Sequence, residues 1–502
     1  MYNVIHTYMA TQKLPLPTRP RPPRRPARRQ KVQPVKTPPP DLLHTRWSPP
    51  QLLRLFRQLL PVPLLAGWLA LCPRTFYHRA FTPLVTLWYC IFQRLSPNHH
   101  LSQVQQDALA GGADHLSPRG KPLSQQVHSE ATTSFSDARQ RLPLEFFRKT
   151  LWHTAAQMSC AFQIPERFGL KVALLDGTTC RLRPFQDIPQ EFPPHRPGNC
   201  KKPPYWCLAR IVGLFCLATG TVLDSAMGSL KTSEQALCAT LLQRSWETWL
   251  WVADRNFGVY SVVCAARAAQ AHVLVRLTQV RAAKLARLAG LSLAPGLDAL
   301  LPWSASRHDQ CPGGLSGLPV AGRLVVVRIE RPGYRPMTLY LFTTLQDQRK
   351  CSAQQLAQLY GERWKVELCF RYVKTQMDLG FLECHSADMV RKEWLAGLIA
   401  YNLIRWTMAA AAASAQVPER WLSFSRAREL LLGWCLRPSG PGGARAAWLR
   451  LLTRIANARL PKRRKIRPPE PRAVRHFQKD VAKLVGSRAV ARQKLAQSNA
   501  NS

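Results

Sequence analysis

The sequence predicts a mixed α/β fold with a helical region ahead of it and basic segments at both ends. Three observations predict it. Residues 48–165 carry apolar side chains at helical spacing, as in "FTPLVTLWYCIFQRL". From about residue 170, short β-branched and apolar runs alternate with helical stretches. The first 47 or so residues are rich in Pro, Arg and Lys and cannot bury a core, and the last ninety or so are very basic.

Taken in order, residues 1–47 ("LPTRPRPPRRPARRQKVQPVKTPPP") read as an extended basic arm, and 48–165 as a helical N-terminal region. Within the latter, "SFSDARQRLPLEFFRKTLWHTAAQM" offers Ser134 or Ser136 as an N-cap. "LKVALLDGTTCRL" reads as a short strand ending in Asp176, and "CLARIVGLFCLATGTVLDSAMG" as two strands turning at "ATGT". "SEQALCATLLQRS" is a helix capped by Ser233, with Glu234 as a helix-start residue. "TWLWVADRNFG" is a strand ending in Asp254, its tryptophans read as core; "YSVVCAARAAQA" is a helix and "HVLVRLT" a strand. Residues 279–337 are irregular and rich in Gly, Pro and Arg, with the strand-like "RLVVVRIE"; "MTLYLFTTL" is a further strand. A helix over Tyr360–Lys374 and a long apolar helix around Trp394–Ala413 follow. The second could just span a bilayer, but Arg405 near its middle favours burial within protein. Residues 413–502 are basic and helical in places.

An apolar content of 46% is ample for a core and excludes global disorder. Lys and Arg number 71 against 28 Asp and Glu, a net charge of +43 that repels itself in a compact particle. Nucleic acid is the first-choice partner, because neutralising phosphates releases counterions; an acidic membrane surface and an Arg-rich codon composition are the alternatives. The 14 cysteines include no CxxC pair, which speaks against a zinc ribbon and for reduced thiols in a cytoplasmic protein. The opening "MYNVIHTYMATQK" lacks the apolar run of a signal peptide.

The stretch "YGERWKVELCFRYVK" carries the sharpest pattern. On an ideal helix Tyr360, Arg363, Glu367, Arg371 and Lys374 fall within an arc of about 80° between two apolar flanks. That suits a packed helix exposing a few groups into a cleft; the alternative is a surface helix laced by Arg–Glu pairs. Two strand-end aspartates and this glutamate make three carboxylates. If they converge they need a counter-charge, which divalent cations supply by accepting oxygen ligands. Two such ions about 3.5–4 Å apart serve phosphoryl transfer. Taken singly, Asp176 in "LLDGTT" is above all a turn signal.

Tyr, two residues, Arg, three residues, Glu, six residues, Lys is a spacing that Tyr360, Arg363, Glu367 and Lys374 match without a gap. In this the chain resembles the bacterial insertion-sequence transposases of the DDE type that carry the same signature. "LLDGTT" resembles that family's first-aspartate motif, "VADRNFG" its second, and "SFSDARQRLP" the segment before its catalytic domain; Asn256 stands where a small residue is common. The resemblance covers roughly residues 80–412 and implies a ribonuclease-H-like core, 166–278 and 338–412, interrupted by a mainly β insertion at 279–337. It implies that Asp176, Asp254 and Glu367 are catalytic and hold two Mg²⁺ ions, with Mn²⁺ able to substitute. It implies that Tyr360, Arg363 and Lys374 contact DNA phosphates; Arg371, close to the same line of the helix, is a further candidate for DNA binding. Trp303 is a candidate for stacking on an extruded base, a core position being the alternative. The implied activity is cleavage of double-stranded DNA at the ends of a mobile element and joining of the 3′ hydroxyl to a target, by a homodimer, with no membrane role. A nuclease without strand transfer and an inactive DNA-binding derivative are the competing readings.

Overall fold

The computed structural model describes residues 60–70, 80–116, 121–194, 205–242, 245–306, 309, 318–331, 334–435, 443–461, 473–474 and 482–500. The expected arm 1–47 and most of the basic run after 461 lie outside them. Among the described residues, nine strands form one mixed sheet: β1 Lys171–Leu182, β2 Cys207–Cys216, β3 Val222–Ser229, β4 Trp249–Ala253, β5 His272–Arg276, β6 Asp298–Trp303, β7 Val320–Arg331, β8 Tyr334–Thr343 and β9 Phe381–Leu382. The order is β3-β2-β1-β4-β5-β8-β7-β6, with β9 beside the far end of β1. β1, β2 and β3 form an antiparallel meander. β1, β4 and β5 run parallel, and β8, β7 and β6 extend the sheet antiparallel.

The central strands are apolar on both faces because both are covered. Val172, Leu174, Leu250, Val252 and Leu274 face one core, shared with α1 (Pro83–Leu95), α2 (Leu144–Ala161) and the long helix Ala387–Ser414. Their alternates Ala173, Leu175, Trp251, Ala253, Val273 and Val275 face a second core with α3 (Glu234–Ala239) and the helix Tyr260–Ala268. Trp246 and Trp251 pack edge-to-face within it, 5.5 Å between centroids, as the core reading expects.

Four expectations are corrected. The helix Thr133–Arg141 contains Ser134 and Ser136, so neither caps it, and it ends where Leu142 turns extended ahead of Pro143, which disfavours a helical residue before it. The stretch 279–337 is not irregular at its start. Gln279–Leu288 forms α4, capped by the Thr278 hydroxyl accepting from the Arg281 N–H at 3.3 Å. β1 does not stop at Asp176; pairing with β2 carries it on to Leu182. Nor is Tyr360–Lys374 one regular helix. α5 (Ala353–Gly361) passes through a 3₁₀ turn at Glu362–Trp364 into α6 (Lys365–Arg371) and then a widened π turn, Tyr372–Gln376. β8 also straddles position 337, so the irregular stretch and the strands before it share one continuous sheet.

α7 (Ala387–Ser414) is long and apolar enough to cross a membrane by length and composition, yet 94% of its most apolar window is buried in protein. Its side chains fasten the β2–β3 turn and the start of β3. Trp394 Nε1 donates to Ser225 Oγ at 3.1 Å, and Tyr401 Oη to the Gly220 carbonyl at 2.8 Å. Asn402 accepts from Val222 N at 2.8 Å and donates to Val222 O at 2.9 Å. Arg405 Nε donates to the Thr219 carbonyl at 2.7 Å. Gly220 turns between β2 and β3 at φ +66°, and a Cβ there would meet the Arg405 guanidinium at 2.4 Å.

Candidate active site

Asp176 lies where β1 loses one neighbour. β4 accompanies β1 only from Lys171↔Trp249 to Leu175↔Ala253, whereas β2 follows it to Leu182↔Cys207. Asp254 is the first residue beyond β4. Two adjacent parallel strands thus bring both aspartates to one notch, at the carboxyl end of β4 and midway along β1, where β4 leaves the sheet.

The glutamate arrives from the helical side. α5 starts in a capping box, Ser352 Oγ accepting from Gln355 N at 3.3 Å and Gln355 Oε1 from Ser352 N at 2.9 Å. Its continuation places Arg363 between the carboxylates: one guanidinium nitrogen is 3.2 Å from Asp176 Oδ2 and the other 3.1 Å from Glu367 Oε1. The Arg363 side chain is only 4% exposed, against 18% for Asp176 and 42% for Glu367. The i,i+4 pair foreseen as surface lacing therefore exists, but it is turned inward and bound to a strand residue as well. The π turn then lets Lys374 donate to Thr178 Oγ1 at 3.1 Å, two residues beyond Asp176. Thr178 was not singled out in the sequence; its only signal was its place in "DGTT".

Burial pushes the Asp176 carboxyl up to about 6; Arg363 and the Gly177 N–H, donating at 2.9 Å, pull it down, while Asp254 and Glu367 push it further up. Asp254 Oδ1 accepts from the Asn256 N–H at 2.9 Å. Asp254 and Glu367 thus both act on Asp176, although among the described residues no three of His, Cys, Asp and Glu stand close enough to share an ion as the side chains lie. Arg363 holds two of the acids to its own nitrogens instead. The donor set still suits a hard divalent cation, because it is oxygen-only. Asp176, Asp254 and Glu367 could hold such an ion if Arg363 turned aside.

The remaining expected residues are spread more widely. Tyr360 is 4% exposed, and its phenol, pushed up by burial, hydrogen-bonds to Arg276. Arg371 is exposed, its guanidinium over the Tyr372 ring at 5.8 Å. Trp303 is not at the notch: it is 5% exposed and packs edge-to-face on Phe342 at 4.8 Å, because β6 turns it into the second core. As it lies, it presents no free face to a base.

Residues 167–403 match the family described as "Transposase DDE domain". The transposase InsG for insertion sequence element IS4 of Escherichia coli (strain K12) is 25% identical over 332 residues, covering 65% of this chain and 70% of that protein. The probable transposase for insertion sequence element IS5377 of Geobacillus stearothermophilus is 33% identical over 86 residues, 16% of this chain and 23% of that protein. Among solved structures, the cryo-EM structure of the piggyBac transposase synaptic complex with hairpin DNA aligns over 84% of this chain and 88% of that one, at 11% identity and a TM-score of 0.38, too slight a likeness to carry an argument.

Proposed function

We propose that this chain, a DNA transposase of the DDE type, cuts the ends of its mobile element and joins the freed 3′ hydroxyl to target DNA at the notch of Asp176, Asp254 and Glu367. The observation that carries the assignment of the site is the double hold of Arg363 on Asp176 and Glu367, since the first contact joins residues 187 positions apart in the chain. We read β1 to β5 as a ribonuclease-H-like core and β6 with β7 as the inserted part. The acids project from that core, at β1 and the end of β4, and from α6.

Transposases of this class use divalent metal ions. In this reading the three carboxylates hold two Mg²⁺ ions, or Mn²⁺ in their place, which when bound would activate the attacking oxygen and stabilise the leaving one. The chain's own part is positional. The backbone of β1 and β4 fixes the two aspartates, and the Gly177 N–H orients one carboxylate oxygen of Asp176. Released from the acids, Arg363 is placed to donate to a phosphate oxygen, and Lys374 and the exposed Arg371 supply further cationic donors along the same helical segment. Tyr360 supports Arg276 and reaches DNA only if the segment moves. The partners are double-stranded DNA at the element end and at the target, with two protomers pairing two ends in a cytoplasmic complex. A hairpin on the element end is one of the routes open to it.

Glu367→Gln tests the site. The variant is expected to retain binding to an element-end duplex while losing strand cleavage in Mg²⁺ by about 10³-fold or more. Full cleavage by the variant would remove Glu367 from the chemistry. Cleavage by the parent protein with no joined product would favour a nuclease without strand transfer.

A further inference from the structure

We propose that Glu234 is a positioning residue for Asp254 and acts through Asn256; the proposal rests on the reading of the site given above. Glu234 opens α3, whose first turn is fixed by Ser233 Oγ accepting from the Ala236 N–H at 3.1 Å. A residue there only to favour a helix start would keep its carboxylate at its own helix. Instead, Glu234 Oε2 accepts from the side-chain amide of Asn256, 22 positions further along. The neighbouring Gln235 Nε2 donates to the Asn256 carbonyl at 2.8 Å and to its Oδ1 at 2.9 Å. The Asn256 N–H in turn donates to Asp254 Oδ1 at 2.9 Å.

Asn256 is therefore gripped at its side-chain nitrogen, its side-chain oxygen and its carbonyl. Its remaining backbone donor is the one that aims the Asp254 carboxylate. A smaller residue at 256 could make the last bond but would offer nothing for Glu234 or the Gln235–Oδ1 contact to hold. The other end of the clamp is equally specific. A Cβ on Gly177 would lie 2.2 Å from Glu234 Oε1, so the carboxylate occupies space that only glycine leaves beside β1. Gly177 directly follows Asp176. One carboxylate thus lies against the strand that carries the first acid and fastens the loop that carries the second. Ligand-orienting groups of this kind set metal affinity by holding a carboxylate in one geometry.

The experiment measures two quantities on the full chain: the Mn²⁺ concentration giving half of the metal-induced rise in Tm, and single-turnover cleavage of an element-end duplex. Glu234→Ala and Asn256→Ala are each expected to raise the half-effect concentration about threefold to tenfold, with Tm in the absence of metal and end binding little changed. The double variant should be no worse than either single one, since both cut the same chain of bonds. Glu234→Gln keeps the acceptor and should rescue the response to within about twofold of the parent, on the double-mutant logic above. Gly177→Ala, which displaces the carboxylate, should resemble Glu234→Ala. A Glu234→Ala protein with the parental Mn²⁺ response, tested beside an Asp254→Asn protein that loses the response, would overturn the clamp and leave the site standing. Glu234→Gln as impaired as Glu234→Ala would also overturn it, because charge rather than orientation would then be what matters. Retention of the full metal response by Asp254→Asn would overturn the reading of the site itself.

Discussion

Arg363 is held by two acids at once. Asp176 and Glu367 draw its guanidinium inward, at the cost of holding a cationic donor out of solvent. Removing it leaves two acids facing each other and Asp254 with no cation between them. Arg363→Ala should therefore lower the Tm of the metal-free protein, by about 1–3 kcal/mol of stability given that Glu367 is partly solvated. Mn²⁺ should restore more stability to the variant than it adds to the parent. Equal metal-induced shifts in the two proteins would show that Arg363 and the ion do not compete for the same carboxylates. The other residues expected to meet DNA divide by burial: Arg371 is exposed and Lys374 half-buried, whereas Tyr360 and Trp303 are committed to the interior.

At the scale of elements, the contact between α7 and β3 makes the sharpest prediction. Asn402 satisfies both backbone groups of Val222, so Asn402→Ala orphans a buried donor and a buried acceptor and should cost about 2–4 kcal/mol in denaturant unfolding. Asn402→Asp keeps only the acceptor and should fall between the parent and the alanine variant; an alanine variant as stable as the parent would mean that water replaces the amide. The elements also show what was legible in the sequence. β2, β3, β4 and β5 were readable because buried apolar runs bounded by turn residues have few alternatives. The capping of α3 by Ser233 was readable from a local rule. What local pattern could not give was how far β1 extends, because Asp-Gly usually marks a turn and only pairing with β2 overrides it. It also could not give the 3₁₀ and π turns around Glu367. Those arise from fitting Arg363 to β1 and Lys374 to Thr178, partners more than a hundred residues away. A shared site for the three acids was expected from a matching spacing of residues; the interposed Arg363, which holds Asp176 and Glu367 to its own nitrogens, was not.

Over the whole molecule the net charge of +43 has to be reconciled with a compact sheet carrying acids in its notch. Binding of an element end should be steeply salt-dependent, falling by at least about 10³-fold between 50 and 200 mM salt if six or more phosphates are neutralised. Deleting residues 1–47 should flatten that slope. A nearly flat dependence in the full chain would mean that the excess charge faces away from DNA. The bond network of α7 bears on any attempt to shorten the protein. A fragment trimmed soon after Lys374 would retain all three acids, yet it would strip the Val222 backbone of its partner and uncover the start of β3, an edge onto which the next molecule could dock. Such a piece would come out of the cell as inclusion bodies, so the smallest workable version of this enzyme has to run past Ser414.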